Sequence, residues 1–187
     1  LALVGESGSG KSLTCMTPFG LSAGIASGSA RLGGEELIGL DETRLRQVRA
    51  SQVGFVFQQP LTALTPHVRI GEQIAEPLRL HLGLSGADAD KRAREWLDNV
   101  RIPNSAERMR QYPHELSGGM RQRVMIAAAM APGPDLLIAD EPTTALDVTI
   151  QAEILDLMAE LQRATGTAMA LITHDMGVVA DLADNIL

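Results

Sequence analysis

The stretch that decides the fold lies four residues into the chain and follows the apolar run Leu1 to Val4. Its pattern is G-x-x-x-x-G-K-[ST], in which glycines let backbone N–H groups turn inward around phosphate oxygens. The lysine supplies a mobile cation for the outer phosphates, and the last hydroxyl can ligate magnesium. The stretch reads Gly5, Glu6, Ser7, Gly8, Ser9, Gly10, Lys11, Ser12. It predicts a nucleoside triphosphate site, and the alternative, a Gly/Ser linker with a chance lysine, is disfavoured because a strand precedes it.

Composition limits the classes of protein to consider. The chain has 187 residues, 45% of them hydrophobic, enough for one full core or two small lobes. A net charge of −7 disfavours a broad nucleic-acid surface. The single cysteine, Cys15, excludes an internal disulfide, and no apolar run is long enough to cross a bilayer. Because Leu1 is not an initiator methionine and both ends fall within apolar runs, we expect a piece of a longer protein.

Four apolar or β-rich runs predict strands buried on both faces, as in a mostly parallel α/β sheet. They are residues 1–4, 53–57, 136–139 and 168–173. A one-sided apolar stripe over 150–161 predicts a crossover helix that ends before Gly166. Between 61 and 115 the pattern changes to helical segments, 70–82 and 88–100, with Pro77, Gly83, Gly86 and Pro103 expected to break them. We expect a core from 1–60 and 116–187 with an inserted helical subdomain at 61–115.

Three further features have structural interpretations. Trp96, the only tryptophan, is expected in the core of the helical insert. Arginines at 44, 46 and 49, and at 121 and 123, have helical spacing and predict solvated helix faces. Pro18 lies within the helix expected after Lys11, so we expect that helix to kink or stop near Thr17.

Asp140 and Glu141 end an apolar run, at the edge where an open α/β sheet binds its ligands. Asp140 is placed to hold magnesium, and Glu141 to orient or deprotonate an attacking water, the two tasks of a nucleotide hydrolase. The alternative is an acidic pair that caps a helix after Pro142. The phosphate loop favours the catalytic interpretation.

Leu116, Ser117, Gly118, Gly119 and Met120 open what the pattern predicts to be a helix through Met130, a second anion-binding helix start. Spacing alone does not show that it meets a nucleotide. This pentapeptide, between the phosphate loop and the Asp140-Glu141 strand, resembles the signature of the ABC-type ATPases. The rest of that family's set follows its order: Gln58 matches the Q-loop, Asp147 the D-loop and His174 the switch histidine.

The resemblance implies the RecA-type P-loop fold, ATP and Mg²⁺ as ligands, and a role for each matched residue. Gln58 would touch the magnesium or the attacking water, and His174 the terminal phosphate. In this family two cassettes close head to tail, so Ser117, Gly118 and Gly119 would act on ATP held by a second subunit. Magnesium would be held by Ser12, Gln58 and Asp140. His67, His81 and His114 match no motif.

A finer resemblance, to the dipeptide, oligopeptide and nickel importers, is found in residues 61–66, 69–74, 112–115 and 138–149. It implies permease subunits that contact the helical insert, a solute-binding protein as an indirect partner, and a peripheral place on the cytoplasmic face of the inner membrane. The family also stacks adenine on an aromatic residue before its first strand, and this chain has no aromatic residue before Phe19. The transported solute, and whether the dimer is homomeric, are not specified by these residues.

Two other functions compete with an importer ATPase. The first is an ABC-type ATPase of DNA repair, chromosome organisation or translation, whose relatives carry long coiled coils or paired cassettes. No sustained heptad run is present here. The second is a small-molecule kinase, which would leave the signature and His174 without a task.

Overall fold

The computed structural model describes residues 1–6, 8–58, 63–144, 146–175 and 185–187. Its central sheet has four described strands, β1 (Ala2–Val4), β4 (Val53–Val56), β5 (Leu136–Asp140) and β6 (Ala168–Thr173). All are parallel, and their order across the sheet is β1-β6-β5-β4. All four predicted strands are therefore confirmed. Residues 185–187 run beside β1, where the Ala2 N–H donates to the Asn185 carbonyl at 2.8 Å.

The sheet is covered on both faces, as its apolar runs predict. Within β5, Leu137 and Ala139 belong to one hydrophobic cluster, whereas Ile138 belongs to a second cluster on the opposite face. Neighbouring side chains of a strand point to opposite faces, so the alternation places the sheet between two cores. The larger cluster includes Trp96, which is 9% exposed, so its expected core position is confirmed.

The helices occupy most of the predicted positions. Their bounds are α1 (Lys11–Met16), α2 (Glu42–Ser51), α3 (Ile70–Leu82), α4 (Gly86–Asn99), α5 (Ser105–Arg108), α6 (Gly118–Met130) and α7 (Val148–Thr165). Helix α7 ends at Gly166, whose φ of 72° is left-handed, as expected for a glycine cap. Helix α1 stops at Met16 and gives way to a 3₁₀ turn, Thr17–Phe19, which confirms the early stop expected from Pro18.

Two expectations about helix breakers are wrong. Pro77 lies inside α3 without ending it, because Ile70, Ile74 and Leu78 on that helix are fully buried and their burial outweighs the lost hydrogen bond. Gly86 is the first residue of α4, where the Ser85 side chain caps the helix by accepting from the Asp88 N–H. A glycine in the first turn costs little when the cap is satisfied.

A short hairpin joins β2 (Arg31–Leu32) to β3 (Glu35–Glu36), and the apolar pattern does not predict it. Its turn is Gly33-Gly34, with φ of 56° and 88°, the left-handed pair that a two-residue hairpin turn requires. Phe19, Leu37 and Val48 pack under it in the smaller cluster.

The arginines are less solvated than their spacing predicts. Arg49 and Arg123 have side chains only 17% and 12% exposed, and they pair with Glu42 and Glu153. Arg121 donates from Nε to the Pro113 carbonyl at 2.7 Å. Because carboxylates and carbonyls occupy these guanidinium groups, the interpretation as solvated faces is corrected for Arg49, Arg121 and Arg123. Arg44 and Arg46, with side chains 40% and 69% exposed, lie on a solvated face as expected.

Candidate nucleotide-binding site

The phosphate loop connects the end of β1 to the start of α1. Gly8 and Gly10 have φ of 84° and 91°, a left-handed conformation that residues with a side chain rarely adopt. The Lys11 ammonium is held within the loop, where Nζ donates to the carbonyls of Gly5 and Glu6, each at 2.7 Å. Of the fixed residues of the pattern, the backbone thus favours glycine at position 10, and Lys11 supplies the cation. Ser7, which was assigned to the same loop, lies outside the described residues.

The end of β5 brings a carboxylate to this loop. The Ser12 hydroxyl donates to Asp140 Oδ1 at 2.8 Å, across a sequence separation of 128 residues. Strands β1 and β5 are parallel members of one sheet, so their carboxyl ends meet at the same edge. Asp140 is buried, at 9% exposure. The pKa of the Cys15 thiol is raised, first because Cys15 is itself partly buried and second because of the charge of Asp140.

Glu141 follows Asp140 and stands at the centre of a second cluster. Its Oε2 accepts from Gln58 Nε2 at 3.0 Å and from the Thr144 hydroxyl at 2.9 Å. Its Oε1 lies 3.4 Å from Nδ1 of His174. Gln58 follows β4 and His174 follows β6, so three neighbouring strands deliver these groups to one edge of the sheet.

The backbone at Glu141 is unusual. Its φ is 45°, left-handed for a residue with a long side chain, and its N–H donates to the Ile172 carbonyl of β6 at 2.9 Å. Non-glycine residues in this region cost about 1–3 kcal/mol and concentrate at functional sites. A tight turn continues from it, closed by the Thr144 N–H, which donates to the Glu141 carbonyl at 3.1 Å. The alternative of a capped helix after Pro142 is therefore wrong.

The donor set suits a magnesium ion held together with phosphate. Ser12 Oγ and Asp140 Oδ1 are hard oxygen donors 2.8 Å apart, and Gln58 offers an amide. Within the described ranges no group of three or more His, Cys, Asp and Glu side chains could hold a metal on its own. Mg²⁺ in nucleotide sites takes one or two protein oxygens and completes its shell with water and phosphate, which matches this sparse set.

The residues matched to the signature and to the D-loop form a separate group, at the starts of α6 and α7. Ser117 caps α6 by accepting from the Met120 N–H at 3.3 Å, and Asp147 caps α7 by accepting from the Ile150 N–H at 3.0 Å. The two helix starts are in contact, because a Cβ added to Gly119 would lie 2.9 Å from Cγ2 of Ile150. Ser117 and Gly118 are exposed. Among the hydrogen bonds of the described residues, none joins this group to the phosphate loop or to Glu141.

Sequence reasoning found most of these groups and missed one. The structure brings together Ser12 with Asp140, and Glu141 with Gln58 and His174, close to the loop that holds Lys11. Ser117 to Gly119 and Asp147 form no hydrogen bond to these groups among the described residues. Thr144 was not singled out. A threonine three residues after the carboxylate, in a turn, was the available signal. Of the unmatched histidines, His114 stacks on Tyr112 at 5.7 Å between ring centroids.

A phosphate loop at the edge of a parallel sheet, with a carboxylate pair at the end of another strand of that sheet, defines a P-loop nucleotide-binding protein. The family model described as "ABC transporter" matches residues 1–144. The chain belongs to the ABC transporter family.

Curated relatives agree with this membership. The chain is 53% identical to the oligopeptide transport ATP-binding protein OppD of Salmonella typhimurium, and 52% identical to that of Escherichia coli. A putative peptide import ATP-binding protein of Brucella melitensis is also 52% identical. Each alignment covers 100% of this chain, but only 56%, 56% and 58% of the relative. The chain thus spans little more than half the length of these proteins.

Solved structures show the same fold. A dimeric ATP-binding cassette in a post-hydrolysis state, bound to ADP and Pi, superposes with a TM-score of 0.86 at 32% identity, over 100% of this chain and 78% of that one. The protein cbiO1 of Clostridium perfringens, described as part of the ABC transporter complex cbiONQ, superposes with a TM-score of 0.84 at 28% identity, over 99% of this chain and 70% of that one. The predicted α/β fold of a P-loop ATPase with a parallel sheet is confirmed.

Proposed function

We propose that this chain is the nucleotide-hydrolysing part of an ABC importer subunit, and that the imported solute is a peptide. The observation that supports the proposal most directly is the Glu141 cluster, because a carboxylate held at the edge of the sheet beside the phosphate loop is what hydrolysis of a terminal phosphate requires. The names of the curated relatives support the class of solute. Nickel, the other solute of the resembled subfamily, is not favoured by those names.

Each residue near the loop has a task in this proposal. Lys11 Nζ exchanges its carbonyl acceptors, Gly5 and Glu6, for oxygens of the triphosphate. Of the other described loop residues, Glu6, Gly8, Ser9 and Gly10 bind phosphate through backbone N–H groups in this proposal. Ser12, Asp140 and Gln58 would hold a magnesium ion, which would neutralise phosphate charge.

Glu141 orients and deprotonates the attacking water, and His174 contacts the terminal phosphate. The water needs a base within hydrogen-bond reach, and Glu141 Oε1 is the carboxylate oxygen that accepts no bond from Gln58 or Thr144. Its position on a strained backbone suits a residue that must be held in one orientation.

The exposed group at the starts of α6 and α7 serves a second subunit. Ser117, Gly118 and Gly119 present N–H groups at a helix start, an arrangement that favours anions, and Asp147 lies beside them at the start of α7. The dimeric state of solved cassettes supports this pairing, whether the second subunit is identical or not.

The importer assembly follows from the same proposal. Residues 61–115 form the helical subdomain that contacts the permease, while 1–60 and 116–187 form the nucleotide-binding core. No helix in the described part of the chain is long and apolar enough to span a bilayer. We place the subunit at the cytoplasmic face of the inner membrane, bound to permease subunits and indirectly to a solute-binding protein, with no nucleic acid as partner.

Nucleotide binding is tested with Lys11→Ala in the full-length protein that carries this sequence. Mg-ATP at a hundredfold excess over its dissociation constant should stabilise the wild type by about 2.7 kcal/mol and the variant by almost nothing. Thermal unfolding with and without Mg-ATP measures the difference, with Lys91→Ala, an exposed lysine on α4, as the matched control. An equal shift for Lys11→Ala and wild type would mean that phosphates bind elsewhere.

A further inference from the structure

The Glu141 carboxylate has three partners among the described residues, and they come from different parts of the chain. Gln58 and His174 follow other strands, 83 and 33 residues away in sequence, and each reaches the carboxylate through its side chain alone. Thr144 belongs to the same turn as Glu141 and is tied to it twice. Its N–H donates to the Glu141 carbonyl at 3.1 Å, and its hydroxyl donates to Oε2 at 2.9 Å.

The double tie makes Thr144 the partner that fixes the carboxylate relative to its own backbone. Threonine is branched at Cβ, so few χ1 rotamers are open to it, and the hydroxyl is held in place once the turn is formed. The bond occupies Oε2 and leaves Oε1 directed to His174 Nδ1. A glutamate carboxylate at the end of three rotatable bonds would otherwise sample several orientations.

We propose that Thr144 is a positioning residue for hydrolysis: its hydroxyl holds the Glu141 carboxylate in the orientation in which Oε1 can serve as the base. The inference rests on the function proposed above. Displacement of a reacting group by about 1 Å can cost a hundredfold in rate. Loss of one hydrogen bond from a carboxylate that keeps its other partners should cost less, and we expect about a tenfold loss in kcat.

The test compares Thr144→Val, Thr144→Ala and Thr144→Ser in the full-length protein by steady-state ATP hydrolysis. Valine keeps the shape of threonine without the hydroxyl, and alanine is a second variant in case valine does not fold. Both should lose about tenfold in kcat with KM for ATP changed by less than about twofold, and Thr144→Ser should recover most of the loss. Thr143→Val makes the same chemical change one residue earlier and should retain wild-type turnover.

A double-mutant cycle with Glu141→Ala separates positioning from a structural role. If Thr144 acts through the carboxylate, Thr144→Val should have no further effect once Glu141 is alanine. A full tenfold loss in that background, or equal kcat for Thr144→Val and Thr143→Val, would overturn the inference while the wild type still hydrolyses ATP. No hydrolysis by the wild type would instead overturn the proposed function itself, so the two failures are distinguishable.

Discussion

Two regions of the molecule carry the matched motifs, and they are built differently. The first region, the loop edge, is held by bonds that cross the sheet: Ser12 donates to Asp140, and Gln58 and His174 lie against Glu141, which Thr144 also contacts. In the second, the signature tip, Ser117 to Gly119 and Asp147 only cap their own helices and pack on each other. The first region is internally connected, whereas the second offers an exposed surface with no such partner among the described residues. The proposed function accounts for this difference, because in it the tip completes a site on another subunit.

The largest expected effect lies in the loop edge. Replacing Glu141 with Gln keeps the shape of the side chain but removes the base, so hydrolysis should fall by about a hundredfold to ten-thousandfold. ATP binding, followed by the thermal shift with Mg-ATP, should stay near that of the wild type because the phosphate loop is untouched. Unchanged turnover would refute the role of Glu141 and weaken the distinction between the two regions.

A smaller effect, on thermal stability, is expected in the signature tip, where packing between the starts of α6 and α7 fixes the two helices. A Cβ at Gly119 would meet Ile150 Cγ2 at 2.9 Å, whereas one at Gly118 would lie 3.8 Å from Leu146, an ordinary contact. Overpacking costs about 1–3 kcal/mol and alanine regains about 1 kcal/mol of helix propensity, so Gly119→Ala should lose roughly 1 kcal/mol. Gly118→Ala is the matched control and should melt at or above the wild-type temperature. Equal melting of the two variants would show that Ile150 does not fix the tip.

The smallest effect concerns the β2–β3 hairpin, which lies in neither region. The Ser29 hydroxyl, then the Ala30 and Ile38 N–H groups and Arg31, donate to Glu36 and lower its pKa from 4.5 to about 2. A lowered folded-state pKa gives stability that is present above pH 4.5 and is lost as the pH falls toward 2.

Glu36→Gln lacks that titration. The wild type should therefore melt higher than the variant at neutral pH, and the gap should narrow as the pH falls below the unfolded-state pKa. Thermal unfolding across this pH range measures the gap. The thermal shift with Mg-ATP at neutral pH should be the same for both proteins, and a change in it would mean that the hairpin communicates with the loop edge.

Prediction from sequence succeeded where local patterns are strong. Buried strands are recognisable in the sequence as apolar runs. Because such strands are parallel, the residues that follow them, Ser12 and Asp140, are expected to meet at one edge of the sheet. It failed at Pro77, because propensity cannot weigh the burial of Ile74 and Leu78 against a lost hydrogen bond. Two-residue strands carry no periodicity, so the hairpin was not expected.

The sequence patterns also did not predict the role of Thr144 in the site, for a different physical reason. Thr144 reaches Glu141 only because the turn brings it back and because Glu141 takes a left-handed φ, neither of which is encoded in residue type alone. For the exposed signature tip, in contrast, the residues were identified from the sequence. Its residue types were matched by resemblance, and its geometry shows helix caps and a tight glycine contact.

The most direct test of a shared site mixes two inactive variants, Ser117→Arg and Lys11→Ala, of the full-length protein and measures ATP hydrolysis against mixing ratio. Each variant alone should be inactive, because every site of its dimer lacks either the Lys11 side chain or the Ser117 of the second subunit. In mixed dimers one site pairs an intact Lys11 with an intact Ser117, so random pairing at equal amounts should restore about a quarter of the wild-type sites. Recovery that peaks near equal amounts is the predicted result, and no recovery at any ratio would contradict a site shared between two copies.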